Sequence, residues 1–112
     1  MPLYMAQFSY TPETWASLVQ SPENREEAVA HILSSYGCKL HNLWYAFGEA
    51  DGYALIEAPS NVNAASVAIA IASSGAFSRF TTTVLMSQDE ALEAMRQASQ
   101  VGYAAPGQAV HA

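Results

Sequence analysis

The period of the apolar positions changes several times along the chain, and each change predicts an element. Leu3 to Tyr10 alternates weakly and is rich in aromatics, which predicts a first strand. Thr11-Pro12-Glu13 supplies a hydroxyl cap, a proline at the first helical position and an acid in the first turn, so a helix starts there. Trp15, Leu18 and Val19 form its apolar stripe. Ser21-Pro22-Glu23 repeats the start signal, so a short helix is followed by a longer one. In the second, Val29, Ile32, Leu33 and Tyr36 recur at helical spacing, and Gly37 is placed to end it in a left-handed conformation.

The stretch from Lys39 to Pro59 reads as two strands joined by a tight turn. Asp51-Gly52 lies between apolar, aromatic-rich runs, the strongest short-range hairpin signal. After Pro59, Ser60 or Asn61 caps a helix running to about Ser74, which Gly75 closes. Built almost wholly of Ala, Val and Ile, that helix has no polar face and is expected to be buried. Phe77 to Leu85, with three consecutive threonines, has the propensity of a fourth strand. Ser87-Gln88-Asp89-Glu90 is a capping box opening a last helix to about Val101, with Ala91, Leu92, Met95 and Ala98 as a narrow stripe. One domain over residues 1–101 is expected, then a tail or arm over 102–112 of Gly, Ala and Pro with little periodicity, and no linker or internal repeat.

This order, β-α-β-β-α-β and then a helix, predicts an α+β ferredoxin-like fold: an antiparallel sheet with two helices on one face and an additional C-terminal helix. Its own helices shelter one side of the sheet, yet the strands carry large apolar residues on both. The bare side is expected to meet a second copy sheet to sheet, as a dimeric α/β-barrel type assembly.

Composition sharpens that expectation. Charged residues make up 12% of the 112, about half the usual share, too few to coat a monomer generously. A homodimer or higher oligomer is therefore expected. The net charge is −6 and the basic residues, Arg25, Lys39, Arg79 and Arg96, are scattered. Without a basic stripe, neither nucleic acid nor an anionic membrane is an expected partner. Cys38 is alone, no basic residue precedes an early apolar run, and the longest apolar run, Ala64 to Ala72, is far too short to span a bilayer. The expected location is the cytoplasm.

Candidate chemistry depends on the hairpin register. A two-residue turn at Asp51-Gly52 pairs Ala50 with Tyr53, and a turn built on Gly48 to Asp51 gives the same parity, so Asn42, Trp44, Tyr53, Leu55 and Glu57 share one face. His41, Leu43, Tyr45, Ala54, Ile56 and Ala58 share the other; a one-residue slip would exchange one strand's faces. The small Ala54 and Ala58 suit a close helix, so the second set is placed under the helices. The first set faces the partner, joined by Gln7 and Arg79 from the outer strands.

Glu57, among apolar neighbours on a central strand, is in the setting a general base needs. Alternatively it pairs with Arg79 or Lys39, or lies at an exposed strand end beside Pro59. Trp44, Tyr53 and Asn42 either line a pocket for a small aromatic ligand or anchor a dimer interface; both hold if the interface encloses a cavity. His41 is a satisfied edge-strand histidine or, if the register slips, a pocket acid, base or haem ligand. His31 is placed on a helix surface and His111 in the tail. Cys38-x-x-His41 has zinc-ligand types but no second matching pair, so neither a metal nor a cofactor is expected, and Cys38 is read as a small core residue. No phosphate-binding glycine loop or nucleophile elbow is present. Gly48, Asp51 and Gly52 are read as turn formers.

The hairpin Gly48-Glu49-Ala50-Asp51, followed by an apolar strand ending Glu57-Ala58-Pro59, resembles the small bacterial GYD-domain family, named for a Gly, Tyr, Asp motif at this turn. Tyr4 and Tyr10-Thr11-Pro12 are similar too, and the likeness covers residues 3 to 101. The motif tyrosine falls at Ala50, so its phenol is absent or has moved to Tyr53. The resemblance implies a ferredoxin-like, dimeric α/β-barrel type domain and no particular activity. Folds of this kind host enzymes and ligand sensors alike. Three functions stay open: a small-molecule-binding domain with an aromatic-lined cavity on the sheet face of a homodimer; a cofactor-independent monooxygenase or isomerase acting on a small aromatic compound, with Glu57 as base; and a structural dimerisation module without a ligand.

Overall fold

A computed structural model of the chain describes residues 1–108; His111 lies outside them. In chain order the elements are β1 (Leu3–Tyr10), α1 (Pro12–Gln20), α2 (Arg25–Ser34), β2 (Lys39–Tyr45), β3 (Gly52–Glu57), α3 (Asn61–Ala72), β4 (Phe77–Leu85) and α4 (Gln88–Ala98). The four strands form one antiparallel sheet in the order β2-β3-β1-β4.

Three helix starts use the caps expected from sequence; the second does not, because Ser21 ends α1 and Asn24, three residues on, caps α2. The side chains of Thr11, Asn24, Ser60 and Ser87 each accept from a backbone N–H in the first turn of α1, α2, α3 and α4, and Ser87 with Glu90 completes a reciprocal capping box. Gly37 follows α2 at φ 71°, a left-handed conformation that a Cβ would strain. The last helix ends at Ala98 rather than near Val101. There Gln100 and Val101 donate to Gln97 and Ala98, three residues back, so the helix closes in a tighter turn.

Strand alternation divides the sheet. On β1, Tyr4, Ala6, Phe8 and Tyr10 are buried, while Leu3, Met5, Gln7 and Ser9 alternate with them on the opposite face. The core joins Tyr4, Ala6, Ala54, Ile56 and Ala58 of the sheet side to Leu33 of α2 and Val67 of α3. Alanines at three of these positions let the helices lie close. The Tyr4 phenol crosses the layer and donates to Asn61 Oδ1 at 2.6 Å, so this large buried residue leaves no polar atom stranded.

Two expectations are corrected. The hairpin turn is not Asp51-Gly52: Tyr45 pairs with Gly52, Ala46 N–H donates to Asp51 O at 2.8 Å, and residues 46–51 form the loop. Gly52 is the first residue of β3. The longer loop keeps the parity of the two-residue turn, so Trp44 still shares a face with Tyr53. Secondly, α3 is not buried all round. Val67 is buried, but Val62 is 75% and Ile69 68% exposed, because the sheet covers only one side of the helix and none of the described residues covers those positions.

The chain is long, 63 × 31 × 23 Å, with a radius of gyration of 18.6 Å, where about 13 Å is usual for this chain length. The helix α4, directly after edge strand β4, has no buried residue.

Candidate functional site

The open face of the sheet holds the residues singled out from sequence, in rows set by the register. Trp44, Tyr53, Gln7 and Thr81 are consecutive neighbours across the four strands. The next row is Asn42, Leu55, Met5 and Thr83, and beyond it lie Glu57, Leu3 and Leu85. Arg79 pairs with Ser9, at the other end of β1 from Leu3. An ion pair between Arg79 and Glu57 is therefore ruled out by roughly 20 Å of strand. Lys39 stands opposite Glu57 in the ladder, but the carboxylate's partner is another residue.

That partner is His41, whose Nε2 lies 3.1 Å from Glu57 Oε1. The sequence placed His41 under the helices, and a bulge overturns this. The ladder pairs Leu40 with Ile56 and Asn42 with Leu55, leaving His41 as the extra residue. Leu40 takes the inward place, and the imidazole reaches Glu57 on the open side. Both side chains are close to one-third exposed. Trp44 is 47% exposed, so in the single chain this face is a surface rather than an enclosed pocket.

A concavity with mostly apolar walls lies on the opposite face. Between α2 and α3 a cleft of about 310 Å³ is walled by Val29, Ile32 and Leu33 on one side and Ala70 and Ile71 on the other, with Phe77 at its base. It leads to a small inner chamber of about 50 Å³ against Ala6, Phe8, Ala54 and Phe80. Arg25 and Phe77 border both spaces, and Tyr10 borders the inner one. The floor is an aromatic set in edge and tilted contact: Phe8 to Phe77 at 5.6 Å, Tyr10 to Phe77 at 5.1 Å, Phe77 to Phe80 at 5.7 Å. Sequence reasoning placed these aromatics in the first and fourth strands only and missed the cleft. The available signal was the repeat of aromatics two or three apart at Phe8, Tyr10 and at Phe77, Phe80 on strands that prove to be neighbours.

Tyr10 links the cleft to the hairpin loop. Its phenol lies 3.1 Å from the Tyr45 phenol, and its ring meets Trp15 edge-on at 5.1 Å. Burial, then the Tyr45 hydrogen bond, push the Tyr10 phenol well above its ordinary 10.0. Asp51 fastens the group. Its Oδ2 accepts from Tyr10 N–H and from Trp15 Nε1–H, both at 2.9 Å, and its own N–H donates to Phe8 O at 2.8 Å. A residue read as a turn former thus ties together β1, α1 and the hairpin loop. Gly52 beside it is required by close approach: a Cβ there would lie 2.2 Å from Phe8 Cζ. Gly48, by contrast, has open space around it. Ala50 is 2% exposed within the loop, whereas Tyr53 faces the open side of the sheet, so Tyr53 does not occupy the place of a motif tyrosine.

Among the described residues no group of three His, Cys, Asp or Glu side chains could hold a metal ion. Cys38 is buried with Leu33, and burial pushes its thiol upward, while His41 lies on the open side. No helix among the described residues is long and apolar enough to cross a membrane.

No curated protein matches the chain. A solved structure described as the crystal structure of FFRP-DM1 is similar with a TM-score of 0.52, over 77% of this chain and 100% of that one, at 11% identity. At that identity the likeness concerns the fold alone. The family model for the GYD domain matches residues 4–95, which span β1 through most of α4 and include the Asp51 loop. The chain belongs to the GYD domain family.

Proposed function

We propose that this chain is a small-molecule-binding domain of ferredoxin-like type, working as a homodimer and taking a flat, largely apolar ligand into the α2–α3 cleft. The cleft itself carries the reading. At about 310 Å³ it is at the small end of ligand pockets, which run from roughly 300 Å³ upward, and it has their make-up: apolar and aromatic walls with few polar groups. Arg25 and Ser74 supply those polar groups in the cleft, and Tyr10 does so in the inner chamber. The strand order and the two helices on one face support the ferredoxin-like description. The open face, with Leu3, Met5, Leu55, Trp44 and Tyr53, supports a second copy there. Relative to the expectation of a cavity on the sheet face, the ligand site moves to the other side of the sheet.

The test uses 2-naphthol as the probe, followed by isothermal titration and by methyl NMR of isotopically labelled isoleucines. Binding with shifts at Ile71 is expected, together with loss of both in Val29→Trp, which fills the cleft, at unchanged melting temperature. Naphthol that binds equally well to Val29→Trp, or that leaves the Ile71 methyls unmoved, would refute the site.

The His41–Glu57 pair favours a second reading, a cofactor-independent monooxygenase or isomerase acting on a small aromatic compound, with Glu57 as base and His41 holding it. Glu57→Gln should then abolish turnover and leave the dimer intact; unchanged turnover rejects the role.

A further inference from the structure

We propose that α4 is an arm that docks on a second copy of this chain, extending the sheet-face contact into a strap. The inference rests on the homodimer proposed above and goes beyond it by assigning α4 its partner. Four observations carry it.

The first is area. A compact chain of 12.0 kDa exposes about 6,000 Å², whereas this protomer exposes 7911 Å². The surplus of roughly 1,900 Å² is about twice what each partner contributes to a standard-size interface. A sheet-face contact alone leaves much of it unaccounted for.

The second is shape. The 63 Å long axis and the absence of any buried residue in α4 place the helix outside the folded body of its own chain.

The third is chemistry. The helix is well capped and amphipathic, with Ala91, Leu92, Met95 and Ala98 on one stripe and Asp89, Glu93, Arg96 and Gln97 on the other positions. Leu92 is 44% and Met95 64% exposed. A helix of 11 residues is marginal in water unless an apolar face is covered, since isolated helices need about 12–15 residues.

The fourth is continuity. Met1, Leu3, Leu85, Met86 and Glu90 share one hollow where β4 passes into α4. The apolar open face therefore continues from Leu3 and Leu85 through Met86 to the first turn of α4. A copy seated over this end of the sheet comes up against the start of that helix.

Three samples of the full chain separate this proposal from the dimer reading: wild type, Leu92→Lys with Met95→Lys, and Leu55→Lys. Sedimentation equilibrium gives the dimer dissociation constant of each. Because Leu92 and Met95 touch little in the protomer, the double variant should melt like a single wild-type protomer yet dimerise at least ~10-fold more weakly. A photo-crosslinker placed at Met95, in a mixture of isotopically light and heavy protein, should give light–heavy pairs. A wild-type dimer with an unchanged constant in the double variant, or crosslinks found only within one chain, overturns the arm and leaves the sheet-face dimer standing. A wild type that is monomeric at every concentration overturns both. A dimer unaffected by Leu55→Lys but broken by the double variant moves the interface to α4 alone, and the strap is then refuted.

Discussion

Asp51→Ala removes one carboxylate and strands two donors at once. Tyr10 N–H and Trp15 Nε1–H both lie 2.9 Å from the same oxygen, and Tyr10 is 8% exposed, so water cannot readily replace the acceptor at the strand end. A hydrogen bond to a charged group contributes about 1.5–3 kcal/mol, and an orphaned buried donor costs about 1–3 kcal/mol. Asp51 is itself partly exposed, so the lower ends apply, and the two bonds together should cost about 3 kcal/mol. The backbone bond from Asp51 N–H to Phe8 O survives the substitution, which keeps the loop attached. Asp51→Asn retains an amide oxygen in nearly the same place and loses only the charge, for a cost of about 1 kcal/mol. Urea unfolding at one fixed protein concentration, followed by tryptophan fluorescence, measures both. For a domain of this size ~3 kcal/mol corresponds to a melting shift of roughly 12–24 °C. If the alanine variant costs no more than the asparagine variant, or if both fall within about 0.5 kcal/mol of wild type, Asp51 is not the fastening that the geometry indicates.

The neighbouring positions give further expectations. Gly52→Ala should cost about 1–3 kcal/mol, the usual range for overpacking, because its Cβ would fall 2.2 Å from Phe8 Cζ; Phe8→Leu in the same chain should recover part of that loss, and strictly additive losses in urea unfolding would count against the contact. Tyr10 holds its proton in the folded chain at pH values where the unfolded chain, with its ordinary 10.0, has lost it. The stabilisation from this phenol is complete below pH 10 and drains away as pH rises through the folded value. Tyr10→Phe should therefore flatten the alkaline arm of the stability curve, and an unaltered arm would refute the linkage. For His41 and Glu57, both close to one-third exposed, a double-mutant cycle should return less than about 1 kcal/mol; a larger coupling would mean that the pair is buried in the working assembly.

Much of the fold could be read from local signals because the signals were local. Thr11-Pro12, Ser60 and Ser87 cap helices through contacts three residues away, and Gly37 ends one through its own backbone angle. The face assignment of Trp44, Asn42, Tyr53 and Glu57 also held, since any loop of the same parity gives it. What failed depended on partners distant in sequence. No pattern in residues 39–45 distinguishes a regular strand from one bulged at His41, because the bulge is a relation between β2 and β3. Asp51 looks like any turn aspartate until Trp15, 36 positions earlier, is brought to it. The cleft was invisible for a similar reason: Val29 and Leu33 were legible as a helix stripe, but whether α2 and α3 meet or stand apart depends on how their side chains fill the layer above Phe8 and Phe77.

The arrangement around Asp51 bears on what a motif at this turn can do. One carboxylate oxygen already serves a strand backbone and an indole, and the Tyr10 and Tyr45 phenols that gather on the same side bond to each other. Ala50 is itself buried in the loop, so a larger side chain at that position would have to displace its neighbours. Tyr53 cannot stand in for it, because the strand's alternation turns it to the other face. In this chain the loop therefore acts through position: it holds Tyr10 and Phe8 where they border the inner chamber. The same alternation keeps the two surfaces apart. Ala54 and Ile56 border the inner chamber while Tyr53 and Leu55 face outward, so a ligand and a second copy of the chain would be received on opposite sides of one strand without competing for a residue.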